Sequence, residues 1–163
     1  LWITTHTTVP RWTVSLLMLV NTIAIVTLQV RASRAVTTPR AGATALRRAG
    51  LAFAVGWTLV GLASGIGVAG AAALLFCGVA LHTLGELWQA AASFELSFSL
   101  ARADAQGQYQ GVFGIGHALA DAAAPIVAAG VCVAGGVAGW AGLGIVLALT
   151  GAAAPAAVAW ASP

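Results

Sequence analysis

Charged side chains are scarce in this 163-residue chain. Only 7% of its residues are charged, four acidic and seven basic, whereas 60% are hydrophobic. A soluble domain carries about 25% charged residues, so this chain has too few to cover a water-exposed surface. A disordered chain would be richer in charge and poorer in apolar residues. These shortages argue against both classes and favour a membrane protein with several spans.

Other residue types and motifs are also missing. All seven bases are arginine, and their excess of +3 is too thinly spread to indicate a nucleic-acid partner. Cys77 and Cys132 each lie in an apolar run, which predicts small apolar fillers rather than a disulfide. No HExxH, GxSxG, Walker or CxxC motif occurs, so we expect neither an enzyme nor a cofactor. The chain begins at Leu1 without a signal-peptide pattern, and we expect a piece of a longer protein.

Long apolar runs are what the sequence does contain. A helix needs about 20 predominantly apolar residues to cross a hydrocarbon core about 30 Å thick, whereas membrane strands would alternate over about ten residues. The sequence therefore predicts an all-α membrane protein with about five transmembrane helices in one domain, residues 1–163. The predicted spans are residues 12–30, 49–67, 69–100, 109–135 and 140–161, the last two separated by a glycine-rich turn.

The arginines predict an orientation. Five of them fall in the connection 31–48, and Arg102 falls in the connection 101–108, which alternating spans place on the same side. Only Arg11 falls on the other side. Because positive connections stay in the cytoplasm, we expect a protein of the inner (plasma) membrane, with both connections and the carboxyl end cytoplasmic and the amino end outside. A lipid-headgroup or nucleic-acid patch is the less favoured role for the arginine-rich connection.

Few ionisable side chains fall inside the predicted spans, and each is a candidate functional residue because charge is costly in lipid. His82 and Glu86 lie in the third span, and His117 and Asp121 lie in the fourth. A separation of four residues places each pair on one helix face. At about 1.5 Å per residue, Glu86 and Asp121 both lie about 18 Å from the inner helix ends. We therefore expect two proton-carrying carboxylates near the middle of the membrane, with the histidines as partners or relays.

Two other roles for these side chains stay open. Either acid could be a hydrogen-bonding partner that only holds the helices together. Two histidines and two carboxylates could ligate a metal, but their spacing matches no ligand signature, so no metal site is expected. Asn21 and Gln29 in the first span are expected to bond neighbouring helices or interface groups rather than a substrate.

Small and aromatic residues predict how the helices pack. Pairs of glycines four residues apart let helices approach closely; these are Gly61/Gly65, Gly107/Gly111 and Gly135/Gly139. Tryptophans near predicted span ends are typical of interface anchors; these are Trp2, Trp12, Trp140 and Trp160. Pro125 and Pro155 are expected to kink or loosen the last two spans.

The segment from Thr83 to Pro125 resembles the tenth and eleventh helices of the major facilitator superfamily, and more narrowly its drug/proton antiporter branch. The Gly85-Glu86 pair matches the middle of the tenth helix of that branch. The start of the eleventh helix is matched by Gly107, Tyr109 and Gly111. One residue departs from the pattern, because Gln106 stands where the family usually carries an arginine.

The first span is similar to the family's eighth helix, which has an Asn in mid-helix and a Gln at the inner end, here Asn21 and Gln29. The resemblance covers essentially the whole chain, as the back part of the carboxyl-terminal six-helix half of the major facilitator fold. It implies a missing amino-terminal half as a partner within the lipid bilayer. It also implies a small-molecule substrate and proton-coupled efflux by alternating access.

The candidate proton-coupling or substrate-pathway residues are Glu86, Asp121, His82 and His117. The alternative is a truncated, non-transporting membrane module that packs against a partner through its helices. An upstream reading frame with about six more helices would favour the transporter.

Overall fold

Helices make up the fold of the computed structural model, which describes residues 1–161. The elements in chain order are α1 (Trp2–His6), α2 (Trp12–Arg34), α3 (Pro39–Leu62), α4 (Val68–Ser99), α5 (Gln106–Val127), a π-helical turn (Ala128–Val133) and α6 (Ala134–Ala161). No strand occurs in this described range. The predicted all-α fold is confirmed.

Within residues 1–161, four helical stretches are long and apolar enough to cross a membrane: α2, α3, α4 and the continuous run Gln106–Ala161. That run holds both of the last two predicted spans. Its regular course is broken at Gly136, whose φ of 57° lies in the left-handed region that glycine adopts readily. The break falls inside the glycine-rich segment where a turn was expected. These helices are consistent with the predicted membrane protein.

Helix α3 begins at Pro39, ten residues before the predicted start of the second span at residue 49. Thr38 Oγ1 accepts the Ala41 amide N–H at 3.2 Å, and proline suits the first turn because its missing N–H is not needed there. Only residues 35–38 separate α2 from α3. The connection predicted at 31–48 is therefore mostly helical. The prediction of its bounds was wrong because it relied on apolar runs, and arginines interrupt the apolar run in the first turns of α3.

Helix α3 packs against α4 on one side and α6 on the other, and small residues bring these backbones together. At the contact with α4, a Cβ on Gly56 would lie 2.7 Å from the carbonyl oxygen of Gly78. At the contact with α6, a Cβ on Gly151 would lie 2.7 Å from the carbonyl oxygen of Leu46. No real Cβ approaches a backbone oxygen so closely, so these helix contacts require glycine.

The glycine pairs singled out by their spacing contribute less to this packing. Gly61 meets the Trp140 side chain, and Gly139 meets the backbone of Val131. The remaining members have no neighbour within 4 Å of a Cβ; these are Gly65, Gly107, Gly111 and Gly135. The prediction was wrong for these four because spacing alone does not show which helix face meets a neighbour.

The tryptophans expected at the interface fall into two groups. Trp12 and Trp160 are exposed, as an anchor at a membrane surface should be. Trp2, however, is only 5% exposed and donates its indole N–H to the carbonyl oxygen of Val60 at 3.1 Å. Trp140 packs edge-to-face against it, with ring centroids 6.2 Å apart. The anchor prediction was wrong for Trp2, because α1 folds back against the carboxyl end of α3.

Helix α5 is the least packed of the long helices, and none of its residues is buried. Its amino end is attached to α4 by two side-chain amides. Gln110 donates to the carbonyl oxygen of Ser97 at 3.0 Å, and Gln106 donates to that of Phe98 at 3.4 Å. Gln106, which stands where the major facilitator superfamily usually carries an arginine, thus bonds the carboxyl end of α4.

We expect Gly56→Ala to lower the free energy of unfolding by about 1–3 kcal/mol, the usual cost of overpacking. The new Cβ would meet the Gly78 carbonyl oxygen and the His82 amide nitrogen, which are backbone atoms and cannot rotate away. Gly114→Ala is the control, because a Cβ there meets nothing within 4 Å; it should be neutral or slightly stabilising. Unfolding in detergent micelles, followed by circular dichroism, measures both. Equal effects would contradict the close contact of α3 with α4.

Candidate functional site

Glu86 lies at the centre of hydrogen bonds that join α2 to α4. Asn21 donates its side-chain amide to Glu86 Oε2 at 2.6 Å and to Thr83 Oγ1 at 2.9 Å. The Thr83 hydroxyl in turn donates to the carbonyl oxygen of Val79 at 2.8 Å. His82 Nε2 lies 3.5 Å from Glu86 Oε1, so a nitrogen faces each oxygen of the carboxylate.

A second set of contacts joins His82 to α3. The indole N–H of Trp57 donates to His82 Nδ1 at 2.9 Å. Phe53, one helical turn before Trp57, lies beside the imidazole with ring centroids 5.3 Å apart. Gly85 makes room for this ring, because a Cβ there would lie 2.7 Å from Phe53 Cε1. We call Asn21, Trp57, His82, Thr83 and Glu86 the Glu86 cluster.

Two cavities border Glu86 on different sides. The larger, about 540 Å³, lies between α3, α4, α5 and α6, and its lining includes His82, Glu86 and Asp121. The smaller, about 250 Å³, lies between α2, α4 and α5, and its lining includes Gln29, Glu86 and His117. Glu86 lines both cavities, as does Gln89 one turn further along α4.

The structure thus brings the four predicted site residues together around Glu86. His82 contacts it directly, Asp121 lines the larger cavity with it, and His117 lines the smaller one with it. Asp121 and His117 belong to the loosely packed helix α5 and are exposed. Neither side chain makes a hydrogen bond or ion pair with another residue of the range 1–161, although His117 stacks on Phe113.

Positive charge is absent from the lining of the larger cavity, apart from what His82 can acquire. The arginines lie elsewhere, six of them towards the half of the bundle where α2 ends and α3 begins. Among these, Arg102 donates to both carboxylate oxygens of Asp104, at 3.1 and 3.0 Å. This guanidinium holds the pKa of Asp104 below its usual value.

In the described part of the chain, no three His, Cys, Asp or Glu side chains are grouped to hold a metal.

Two members of the Glu86 cluster, Trp57 and Thr83, were not predicted from the sequence. Trp57 precedes His82 by 25 residues, and only the register of α3 against α4 brings the two together. Thr83 could have been found, because it lies three residues before Glu86 and shares its face. The expectation that Asn21 bonds a neighbouring helix is confirmed. Gln29 instead donates to Ser33 within α2, at 3.3 Å.

We expect Asn21→Leu to destabilise the protein by about 1–3 kcal/mol, because Glu86 Oε2 loses its donor in an apolar setting. The measurement is unfolding in detergent micelles. Thr22→Val is the control, because the exposed Thr22 hydroxyl bonds only Met18 within α2; it should stay within about 0.5 kcal/mol of the parent.

A double variant isolates the bond itself. In the Glu86→Leu background no carboxylate is left without a donor, so Asn21→Leu should cost less there than in the parent. Equal costs in the two backgrounds would show that Asn21 does not act through Glu86.

The geometry around Glu86 suits proton exchange. A carboxylate that accepts one hydrogen bond at each oxygen keeps further lone pairs that can accept a proton. Glu86 lines two cavities from which a proton could arrive. The His82 imidazole and the Asp121 carboxylate line the larger of these cavities.

No protein-family model, no curated protein and no solved structure matches this chain.

Proposed function

We propose that this chain moves a small molecule across a membrane by alternating access, coupled to protons, as part of an efflux transporter of major facilitator type. One observation carries the proposal: Glu86 lines two cavities among long apolar helices, and Asp121 lines the larger cavity with it. Ionisable groups at such positions are typical of proton relays and substrate pathways.

Glu86 and Asp121 are the proposed proton carriers. Both carboxylates line the larger cavity. A cationic substrate that enters this cavity stabilises their charged forms and so favours release of a proton. Competition between proton and substrate for the same acids is the simplest way to couple their movements.

The lining of the larger cavity favours an organic cation as the substrate. Phe53 and Trp57 supply aromatic faces, and Glu86 and Asp121 supply negative charge. Aromatic faces attract cations through the ring quadrupole. An anionic substrate would meet two carboxylates in this cavity and no arginine or lysine.

The transport test uses vesicles that contain the whole transporter of which this chain is proposed to be part, with a pH gradient across the membrane and tetraphenylphosphonium as the probe cation. We expect protonophore-sensitive accumulation of the probe, and a loss of at least about tenfold in initial rate for Glu86→Gln and for Asp121→Asn, the size of effect typical of a lost proton-transfer group. Glu95→Gln is the matched control on α4, since Glu95 lines neither of the two cavities at Glu86. Unchanged rates in both test variants would contradict the proton-carrier role.

The proposed orientation places the arginine-rich connection in the cytoplasm and the amino end outside. The test introduces one cysteine at a time into a Cys77→Ser/Cys132→Ser background, since both native thiols are free. We expect Thr4→Cys to react with a membrane-impermeant maleimide on intact cells. Thr37→Cys, in the connection between α2 and α3, should react only after the cells are opened. The reverse pattern would invert the topology.

A non-transporting helix module is the second candidate, favoured by the bonds between Asn21 and α4. Hydrogen bonds between helices are also what holds a purely structural bundle together. If this candidate is correct, Glu86→Gln lowers the free energy of unfolding, and no protein-dependent flux of the probe is observed in the parent.

A further inference from the structure

We propose that Trp57 is a positioning residue that fixes which nitrogen of His82 carries the proton. An indole N–H can only donate. Trp57 Nε1 lies 2.9 Å from His82 Nδ1, so Nδ1 accepts and carries a lone pair. In a neutral imidazole the proton then lies on the other nitrogen. Trp57 thereby holds His82 as the uncharged Nε2–H tautomer.

The proton-bearing nitrogen is the one that faces Glu86. Nε2 lies 3.5 Å from Oε1, so a neutral N–H points to the carboxylate and the contact is not a salt bridge. Asn21 donates to the other oxygen at 2.6 Å. The donors therefore run in one direction, from Trp57 through His82 to Glu86, and each member has a defined role.

Proton uptake by His82 breaks this chain at one bond. Because Nε2 already carries a proton, an incoming proton bonds to the lone pair of Nδ1 and produces an imidazolium. The new Nδ1–H cannot accept from the indole, so the Trp57 hydrogen bond is lost as the N–H bond forms. The Nε2–H of the imidazolium then faces Glu86 as one half of an ion pair. Protonation of His82 and the bond from Trp57 exclude each other.

The ionisable neighbours of His82 on the larger cavity come from two helices. Glu86 lies on α4 itself, and Asp121 lies on α5 across the cavity. The groups presented by α2, α3 and α6 at this level do not titrate; they are Asn21, Phe53, Trp57 and Thr150. Of these groups, Trp57 is the one that bonds His82 Nδ1.

Displacement of Trp57 would reach a third helix. The Trp57 ring lies edge-to-face with Trp140 on α6, with centroids 6.1 Å apart. A proton on His82 would thus remove one hydrogen bond between α3 and α4, at a ring that also contacts α6. The assignment of this link to a transport cycle rests on the proposed function; the tautomer itself does not.

Nitrogen-15 NMR of the full chain in lipid bilayers tests the tautomer. The chain has three histidines, and His82→Asn identifies the signals of His82. We expect a protonated Nε2 and an unprotonated Nδ1 at neutral pH. Trp57→Phe keeps an aromatic ring and removes the donor, so the ratio of the Nε2–H to the Nδ1–H tautomer should fall about fivefold or more, as the loss of one hydrogen bond implies.

Trp88→Phe is the matched control, because Trp88 is a partly buried tryptophan that packs against a different cluster. It should leave the His82 signals unchanged. A protonated Nδ1 on His82 in the parent protein would overturn the inference. So would a tautomer ratio that Trp57→Phe does not change. If the tautomer is as expected but the parent moves no tetraphenylphosphonium, the proposed function fails and this inference stands.

Discussion

The hydrogen bond from Asn21 to Glu86 is the interaction on which the rest of the site depends. A carboxylate inside an apolar bundle costs several kcal/mol unless donors compensate for the lost water, and the 2.6 Å bond supplies the shortest such contact. Because Asn21 lies on α2, the same bond fixes where α2 lies along α4. Helix α2 has only Thr13 and Leu17 buried, so apolar packing alone would hold it weakly. The hydrogen bond from Asn21 therefore fixes the position of α2 along α4 and also stabilises the charge of the Glu86 carboxylate.

The distance between α3 and α4 is the second constraint. Gly56 and Gly78 bring these backbones together, and a Cβ on Gly56 would also lie 3.2 Å from the amide nitrogen of His82. The closest backbone approach is therefore one residue away from Trp57 and directly beside His82. At this separation the indole can reach the imidazole. Glycines that have no side-chain chemistry of their own thus determine the geometry of the polar cluster.

Much of this arrangement follows from local periodicity and could be predicted. The spacing of His82 and Glu86 predicts a shared face, and the lengths of the third and fourth spans predict a common depth for Glu86 and Asp121. Their placement on one cavity agrees with both. Trp57 could not be found in this way, because its partner lies on another helix and depends on packing register. The start of α3 at Pro39 was not predicted for a different reason. The prediction relied on apolar runs, whereas the first turns of α3 contain arginines and are stabilised by the Thr38 cap.

Helix α5 supplies candidate site residues and is also the least packed of the long helices. It carries Asp121 and His117, yet none of its residues is buried and its attachment to α4 is concentrated at its amino end. Elements with few buried contacts lie at the low-cost end of the range of local motions. The remaining walls of the larger cavity belong to the tightly packed α3, α4 and α6. Of the four helices around the larger cavity, α5 has the fewest buried residues, so movement of α5 is the least costly way to change the volume of this cavity.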